Sequence, residues 1–554
     1  MPWLRFLIFC LVTLLLAGCS TPLIPPANAP SITRQQQPDA DLLCRLQGEW
    51  NMLQQAKLTP QQRAATQAAY NADLLLLVRR LRHDGAPGVD VCYMQTCDRK
   101  GNAIAFEDVI PAADVPLDSL EERYTEPGLG VPMVGIIPRV GSNHQFAVGS
   151  RGAVCMLTAV LRFTRAGKPE LMHIPRYQEN TIRVGRYKYQ LAADWSAALE
   201  MYWNLTRIKK DRWLGLLRPQ EVRSTTGLFS IQPYNPDRIP VILTHGLAST
   251  ACTFDNLVNR LVSDPVIREN YQFWYFNYPT GLAWTISARE YRQAIENLRR
   301  EVDPERKNRN WDKLVVVGHS MGGLITHYSQ CEEPWNLLRS SPIPLKLLQS
   351  EYRDKPFENA EFESLRKDYF FRPVKAGLVV YMATPHRGAP LAQYYLVTAL
   401  TKLVTLPKTL LEEAYNIATL QEDTMLLNPQ EAYLWFTSIH QLDPDSYSIR
   451  GLQGLKVRNA QTHSIIGDRG CSDCPRCSDG VVPYWSSHIS WGTQTIVPAG
   501  HSVQDSMDTA ADMRKLLTDY ARKHPVIKTS ARQKQRVPSR CTGLQNHPDS
   551  AGKK

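Results

Sequence analysis

Short apolar runs alternate with amphipathic segments through the second half of the chain. Ile239 to Thr244, Tyr271 to Tyr278 and Leu314 to Val317 are rich in β-branched or aromatic residues, as in buried strands. Phe254 to Val262 and Ile286 to Val302 instead place their apolar residues at helical spacing. This alternation predicts a mostly parallel β-sheet covered by helices.

The same rhythm continues toward the carboxyl end. Further strand-like runs lie at 377–383, 463–466 and 495–497, and a last amphipathic helix follows them. We therefore expect one α/β domain over residues 233–524.

The chain before this domain has a different pattern. Residues 40–85 are helical by periodicity, Val154 to Phe163 and Ile182 to Leu191 are strand-like, and an apolar helix begins near Trp195. No motif in this region indicates chemistry. The pattern predicts an α+β accessory domain over residues 41–232, with a packing or positioning role.

The amino terminus has the pattern of an export signal. An arginine precedes the apolar run Phe6 to Leu16, which is too short to span a bilayer comfortably. The following Leu-Ala-Gly-Cys resembles the lipobox of bacterial lipoproteins. That resemblance implies a signal peptide over 1–18, a lipid on Cys19 as membrane anchor and, because Ser20 follows, an outer-membrane location. A flexible tether is expected over 19–40, and an ordinary secretory signal is the alternative.

Most of the net charge of +11 lies in the tail. Residues 523–554 hold eight Lys or Arg and one acid, which amounts to +7, and Arg5 is lost with the signal, so +3 remains for the folded body. The body contains no motif for nucleic-acid binding, and no such partner is expected. We predict a basic, disordered tail over 525–554.

Twelve cysteines are compatible with disulfides in an exported protein. Loss of Cys10 and lipidation of Cys19 leave an even number. The densest cluster is Cys471, Cys474 and Cys477; disulfides are the expectation there, and a zinc site, which would need a fourth ligand, is the alternative.

A Gly-His-Ser-Met-Gly pentapeptide, residues 318–322, follows the strand Leu314 to Val317 directly. The next residues take up helical spacing, so the chain must turn from strand to helix at Ser320. Small residues flank the serine because so tight a turn leaves no space for side chains. This context predicts a nucleophile elbow with Ser320 as the nucleophile.

Several separate motifs resemble the lipase and esterase branch of the α/β-hydrolase fold. They are His-Gly-Leu at 245–247, the pentapeptide, Met-Ala-Thr-Pro-His-Arg-Gly from 382, and an Asp-Gly-Val-Val motif from Asp479. The resemblance covers roughly 233–524. It implies an oxyanion hole formed by the backbone amides of Leu247 and Met321, and insertions at 331–374 and 390–454 that act as helical caps.

A serine hydroxyl needs a base, and the base needs an acid to orient it. His501, in Ala-Gly-His-Ser after the last strand, is the predicted base, with His488 and His463 as alternatives. His386 precedes every candidate acid, so we interpret it as a residue that shapes the pocket or fixes a loop.

The fold implies the chain order serine, acid, histidine. Asp479 is the predicted acid because its Asp-Gly-Val-Val context resembles the acid loop of many lipases. Asp468 directly follows a strand and is the alternative, and Asp473 is a third candidate.

These residues predict a serine carboxylic-ester hydrolase, lipase-like or esterase-like, that needs no metal or cofactor and acts on ester or lipid substrates. An acyltransferase, thioesterase or amidase would use the same triad. A non-catalytic, surface-anchored binding protein on a hydrolase fold is the alternative from a different class.

Overall fold

A computed structural model describes the following residues: 39–55, 57–84, 89–93, 106–137, 153–177, 179–206, 208, 211–232, 234–340, 367–390, 404–406, 436–470 and 477–528. Within these ranges no helix is both long and apolar enough to cross a membrane. The predicted signal, lipidated Cys19, the tether and all but the first few residues of the tail lie outside the described residues.

Strands are numbered in chain order over the described residues. They are β1 (Asp90–Tyr93), β2 (Asp108–Pro111), β3 (Thr125–Glu126), β4 (Val131–Ile137), β5 (Ala153–Phe163), β6 (Pro169–Pro175), β7 (Thr181–Val184), β8 (Tyr187–Gln190), β9 (Ala193–Asp194), β10 (Gly227–Ser230), β11 (Ile239–Thr244), β12 (Tyr271–Asn277), β13 (Val315–His319), β14 (Leu378–Met382), β15 (Gln461–Gly467) and β16 (Thr493–Val497).

Helices are numbered in the same way. They are α1 (Asp39–Leu53), α2 (Pro60–Asp84), α3 (Trp195–Thr206), α4 (Asp211–Leu217), α5 (Asp255–Val262), α6 (Pro265–Asn270), α7 (Trp284–Val302), α8 (Met321–Gln330), α9 (Ser438–Gln441), α10 (Tyr447–Leu452), α11 (Tyr484–Ser487) and α12 (Met507–Lys523).

The larger described sheet has seven strands in the order β10-β12-β11-β13-β14-β15-β16. β10 runs antiparallel to β12, and each of the other neighbouring pairs is parallel. This confirms the predicted α/β class with a mostly parallel sheet. The edge strand β10 precedes residue 233, so the sheet begins earlier in the chain than the sequence pattern indicates.

Alternate residues of the central strands face opposite layers, as the period of a strand requires. Val316 packs in a core with helices α7 and α8. Val315 and Val317 pack in a second core with α5 and α12. The sheet is therefore covered on both faces, which explains its uninterrupted apolar strands.

The accessory part is built on a five-stranded sheet in the order β1-β6-β5-β4-β2. Helices α1 and α2 pack against its central strands. Its helix α3 instead belongs to the core on one face of the larger sheet, where the ring of Trp203 meets that of Tyr275 edge-on at 5.0 Å between centroids. The accessory part thus shares a core with the larger sheet.

One predicted strand is wrong in this region. Ile182 to Leu191 does not form a single strand but contributes to the antiparallel pair β7 and β8. The chain reverses at Gly185, whose φ of +60° lies in the left-handed region that favours glycine.

Most of the two predicted cap insertions lies outside the described residues. The first contributes a short helix at Pro334–Ser340, and the second contributes α9 and α10. Residues of these segments, including Leu337, Ile439 and Ile449, pack in the same core as α7 and α8.

Candidate active site

Ser320 occupies the turn between β13 and α8, as the sequence predicts. Its φ of 53° and ψ of −124° are unusual for a residue with a side chain. The backbone N–H of Ser320 donates to the carbonyl of Met382 at 2.8 Å, which ties the turn to the next strand. The serine is 8% exposed and stands at the amino end of α8.

The glycines around Ser320 are required by the close approach of backbones. A Cβ at Gly318 would lie 2.5 Å from the carbonyl oxygen of Gly322, and one at Gly322 would lie 2.2 Å from that of Thr244. A Cβ at Gly323 would lie 1.8 Å from Oγ1 of Thr384. The turn therefore leaves no space for a side chain at any of the three positions.

The structure brings Ser320, His501 and Asp479 together in one hydrogen-bonded chain. His501 Nε2 lies 2.9 Å from Ser320 Oγ, and His501 Nδ1 lies 2.7 Å from Asp479 Oδ2. A carboxylate only accepts hydrogen bonds, so Nδ1 carries the imidazole proton and Nε2 presents a lone pair to the serine hydroxyl. This arrangement can remove the hydroxyl proton as the oxygen attacks a carbonyl.

Asp479 is buried, with 1% of its surface exposed, and it is oriented by the backbone. The N–H groups of Val481 and Val482 donate to its Oδ1 at 2.7 and 2.6 Å, which leaves Oδ2 directed at His501. Cys477, two residues earlier, is disulfide-bonded, whereas Cys471 and Cys474 lie outside the described residues.

The alternative histidines have partners elsewhere. His463 bonds Asp512 at 2.8 Å and Thr493 at 2.7 Å, beside α12. His488 lies in the turn after α11, where its Nδ1 is 2.7 Å from Oε1 of Gln494.

Of the two alternative acids, one is described by the structure. Asp468 accepts the backbone N–H of Gly470 at 3.1 Å, and Asp473 lies outside the described residues. Among the described candidate acids, Asp479 is the one whose carboxylate contacts the imidazole that also contacts Ser320.

His245 fixes the direction of the peptide group that joins Gly246 to Leu247. The ring of His245 accepts the N–H of Tyr278 at Nε2 (3.3 Å), so its protonated Nδ1 donates to the carbonyl of Gly246 at 3.1 Å. In a trans peptide the N–H points opposite to the C=O, so the Leu247 amide points away from this ring. Gly246 also adjoins the nucleophile, because a Cβ there would lie 2.8 Å from that of Ser320.

Met321 is the first residue of α8, where a backbone N–H has no acceptor within the helix. Across the described part of the chain no hydrogen bond is recorded from the amide of either Leu247 or Met321. Two amides next to Ser320 are thus available to an incoming oxygen, as the predicted oxyanion hole requires.

His319 supports the candidate site in a way that the sequence reasoning missed. Its Nε2 donates to the carbonyl of His501 at 2.8 Å, which holds the backbone of the candidate base. Burial lowers the pKa of His319 to about 3, and the neighbouring His501 adds to the effect, so the ring stays neutral. Its position inside the pentapeptide was the available signal, although the motif leaves that residue type free.

His386 lies in a buried pair with His327, as the interpretation of a loop-fixing residue suggests. The two Nδ1 atoms are 3.1 Å apart, and His327 Nε2 bonds the carbonyl of Leu455 at 3.0 Å. Burial lowers the pKa of both rings. His386 therefore connects the loop after β14 to α8 and to the segment before β15.

The described residues contain no group of three or more His, Cys, Asp or Glu side chains placed to hold a metal ion.

No protein-family model matches this sequence, and a comparison with curated proteins finds no match. Similar solved structures are lipases, esterases and a thioesterase domain. The Staphylococcus hyicus lipase is 12% identical over 52% of this chain and 97% of its own, with a TM-score of 0.33. The mature lipase BlEst2 of Bacillus licheniformis is 12% identical over 52% of this chain and 97% of its own, with a TM-score of 0.30. The metagenomic carboxyl esterase MGS0156 is 15% identical over 53% of this chain and 78% of its own, with a TM-score of 0.28. Scores this low carry no inference about activity, which rests on the residues of this chain.

The crowding at the elbow predicts a large penalty for one added methyl group. Gly322→Ala places a carbon against the Thr244 carbonyl and should lower the free energy of unfolding by about 1–3 kcal/mol or more. Gly48→Ala is the matched control, because nothing lies within 4 Å of its added Cβ in helix α1. That change should raise stability by about 0.5–1 kcal/mol. Urea unfolding of both variants checks this, and similar effects would contradict the crowding.

Buried neutral histidines predict acid lability. Burial lowers the pKa of His245 and His327 to about 4 and that of His319 to about 3, against roughly 6.5 in an unfolded chain. As pH falls below about 6.5, the unfolded state binds protons that the folded state cannot, so stability decreases down to the folded pKa values. Each such ring contributes at most ~1.4 kcal/mol per pH unit in this window.

Urea unfolding at about pH 7 and about pH 5 measures this effect. His327→Gln should reduce the loss between the two conditions, and His524→Gln, at an exposed position after α12, should leave it unchanged. Equal stability of the wild type at both pH values would contradict the assignment.

Proposed function

We propose that this protein is a serine hydrolase that cleaves carboxylic esters through an acyl-enzyme on Ser320. The observation that carries the proposal is the continuous chain from Asp479 through His501 to Ser320, with contacts of 2.7 and 2.9 Å, ending at a strained elbow. Strain of this kind persists only where the surrounding structure imposes it, and it is concentrated at functional sites.

In the proposed first step, Ser320 Oγ attacks the ester carbonyl while His501 Nε2 accepts its proton. Asp479 remains ionised and stabilises the imidazolium that forms. The carbonyl oxygen becomes negatively charged and is bound by the amides of Leu247 and Met321, whose donors are fixed before the reaction begins. His501 then returns the proton to the departing alcohol.

In the second step, His501 takes a proton from water as the water attacks the acyl carbonyl. It returns the proton to Ser320 Oγ as the bond between that oxygen and the acyl group breaks and the carboxylic acid leaves. The amide of Leu247 depends on the His245 bond to Gly246, and the backbone of His501 depends on His319. Both supporting rings are neutral, so neither adds a positive charge that would compete with the imidazolium.

We further propose lipases or esterases as the narrower class, with ester or lipid substrates below the predicted caps. The support is the combination of the elbow with an acid in an Asp-Gly-Val-Val loop and a base after the last strand. Similar solved structures are named lipase or esterase, but their similarity is too low to be an argument for this class.

The catalytic proposal is tested with model esters of increasing acyl length. Ser320→Ala should reduce kcat/KM by about 10⁴-fold or more, and Asp479→Asn by about 10⁴-fold, because the imidazole then loses its acceptor and takes the wrong tautomer. Asp468→Asn is the matched control and should change the rate less than twofold or so.

A serine-directed phosphonate should label the wild type and the Asp468→Asn variant but not Ser320→Ala. A wild type that neither turns over any ester nor is labelled would leave the non-catalytic binding protein as the answer. A rate that falls with Asp468→Asn and not with Asp479→Asn would overturn the assignment of the acid.

We also propose that the chain is exported and anchored in the cell envelope by a lipid on Cys19. The support is the Leu-Ala-Gly-Cys sequence after a short apolar run. Cells grown with an alkyne-bearing palmitate should incorporate it into the wild type and not into Cys19→Ser. Incorporation into both forms, or into neither, would contradict the proposal.

A further inference from the structure

A cavity lies between the accessory part and the larger sheet, away from Ser320. It has about 740 Å³ of space not occupied by protein atoms, part of it open to solvent. Met156 of β5 and Leu199 of α3 line it from the accessory side, and Val258 of α5 and Phe273 of β12 line it from the other. The cavity therefore forms only when both parts are present.

The cavity and the triad are at opposite ends of the sheet. Arg238, directly before β11, and Tyr271, the first residue of β12, line the cavity. His245 and Ser320 follow the carboxyl ends of their strands. A strand of six residues spans ~20 Å, so a molecule in the cavity does not reach Ser320.

Three arginines, Arg176, Arg238 and Arg268, belong to the lining. The carboxylate of Glu126 forms ion pairs with Arg176 at 3.3 Å and with Arg268 at 3.4 Å. The structure records neither a hydrogen bond nor an ion pair for the Arg238 guanidinium within the described ranges, and the exposed Glu269 acts on it only at longer range. Burial lowers the pKa of all three guanidinium groups, that of Arg238 to about 10.

Further donors of this lining lack acceptors. Arg176 Nε and Trp195 Nε1 are buried and have no hydrogen-bond partner within the described part of the chain. A buried donor without an acceptor is costly, and groups of this kind are normally satisfied by solvent or a ligand. Since arginine and indole nitrogens only donate, the matching group is rich in acceptors and negatively charged.

The rest of the lining is apolar and aromatic. The Trp195 ring stacks under Arg268 at 4.1 Å and lies 5.5 Å from Arg176, so the cationic groups adjoin an aromatic wall. An inorganic anion would bond the arginines but leave this wall in contact with water. An apolar chain attached to the anion would cover it, at a gain of roughly 25 cal/mol per Å² of apolar surface.

From these contacts we infer that the cavity binds an amphiphilic anion, with its acidic head on Arg238 and Arg176 and its acyl or alkyl chain against Leu199, Val258 and Phe273. The head is a carboxylate, as in a free fatty acid, or a phosphate, as in a lipid head group. The site is separate from the proposed ester hydrolysis and does not depend on it.

Calorimetric titration of the full mature chain tests this, with decanoate, decyl phosphate and decyltrimethylammonium as probes below their micelle concentrations. Saturable binding of an anion, and none of the cation of equal chain length, is expected. Preference between the two anions identifies the head group. Binding of the cation as tightly as the anions, or no saturable binding of either anion, would overturn the inference.

Two variants locate the site, and a third serves as the control. Arg238→Gln should weaken anion binding about tenfold or more, since one charged hydrogen bond is lost. Ile231→Trp, which fills the cavity without changing charge, should abolish it. Arg300→Gln, on a side chain 68% exposed on α7, should leave it unchanged. Anion binding indifferent to both cavity variants would place the ligand elsewhere and sink the proposal.

Thermal unfolding shows whether each variant is folded. If a cavity variant does not fold, the wild type still tests the inference: its Tm should rise with decanoate or decyl phosphate and not with decyltrimethylammonium. Equal shifts with anion and cation would overturn it. Ester turnover is measured in parallel: Arg238→Gln should retain it, so failure of this site and failure of the proposed hydrolase remain distinguishable.

Discussion

The amino end of α8 lies so close to the end of β11 that no side chain fits between them, and the candidate site depends on this contact. Gly322 has space for a hydrogen only, because the Thr244 carbonyl stands where a Cβ would be. The residue before the helix, Ser320, has a φ of 53°. That same approach brings Gly246 beside Ser320, so nucleophile and neighbouring amide are placed by one packing constraint.

The polar groups around the elbow are held mainly by backbone atoms. Asp479 accepts hydrogen bonds from two amides of its own loop, and the carbonyl of His501 accepts one from the ring of His319. The imidazole of His501 is thus held at its Nδ1 by Asp479 and through its own backbone by His319. Preorganisation of this kind reduces the reorganisation needed as charge develops. It requires that the buried rings of His245 and His319 remain neutral, so the fold loses stability in acid.

Local signals were sufficient for the central strands of the larger sheet and for the elbow, because an apolar run that ends at Gly-x-Ser-x-Gly specifies a strand, a turn and a helix within ten residues. Asp479 was found by a short motif, although the sequence alone could not show which of three aspartates reaches His501. The supporting roles of His245 and His319 arise from contacts between separate strands, for which the chain carries no local pattern. The reversal at Gly185 was missed because apolar residues continue on both sides of it.

Long-range packing was also invisible in the sequence. Helix α3 has a clear apolar face, but nothing in its periodicity tells which sheet that face covers. The same holds for the arginines of the interdomain cavity, which are far apart in sequence and meet only through tertiary structure. The sequence shows where charged residues lie along the chain. It does not show which of them lack a partner in the folded protein.

The shared core has a consequence for how this chain can be divided. A fragment cut at residue 233, where the composition changes, would lose the edge strand β10 and would expose Tyr275 and its neighbours, which α3 now covers. The half that carries Ser320 is thus not a transferable unit, because the amino-terminal half covers part of its sheet. A gene fusion or a minimal expression fragment has to retain both halves to preserve a covered sheet.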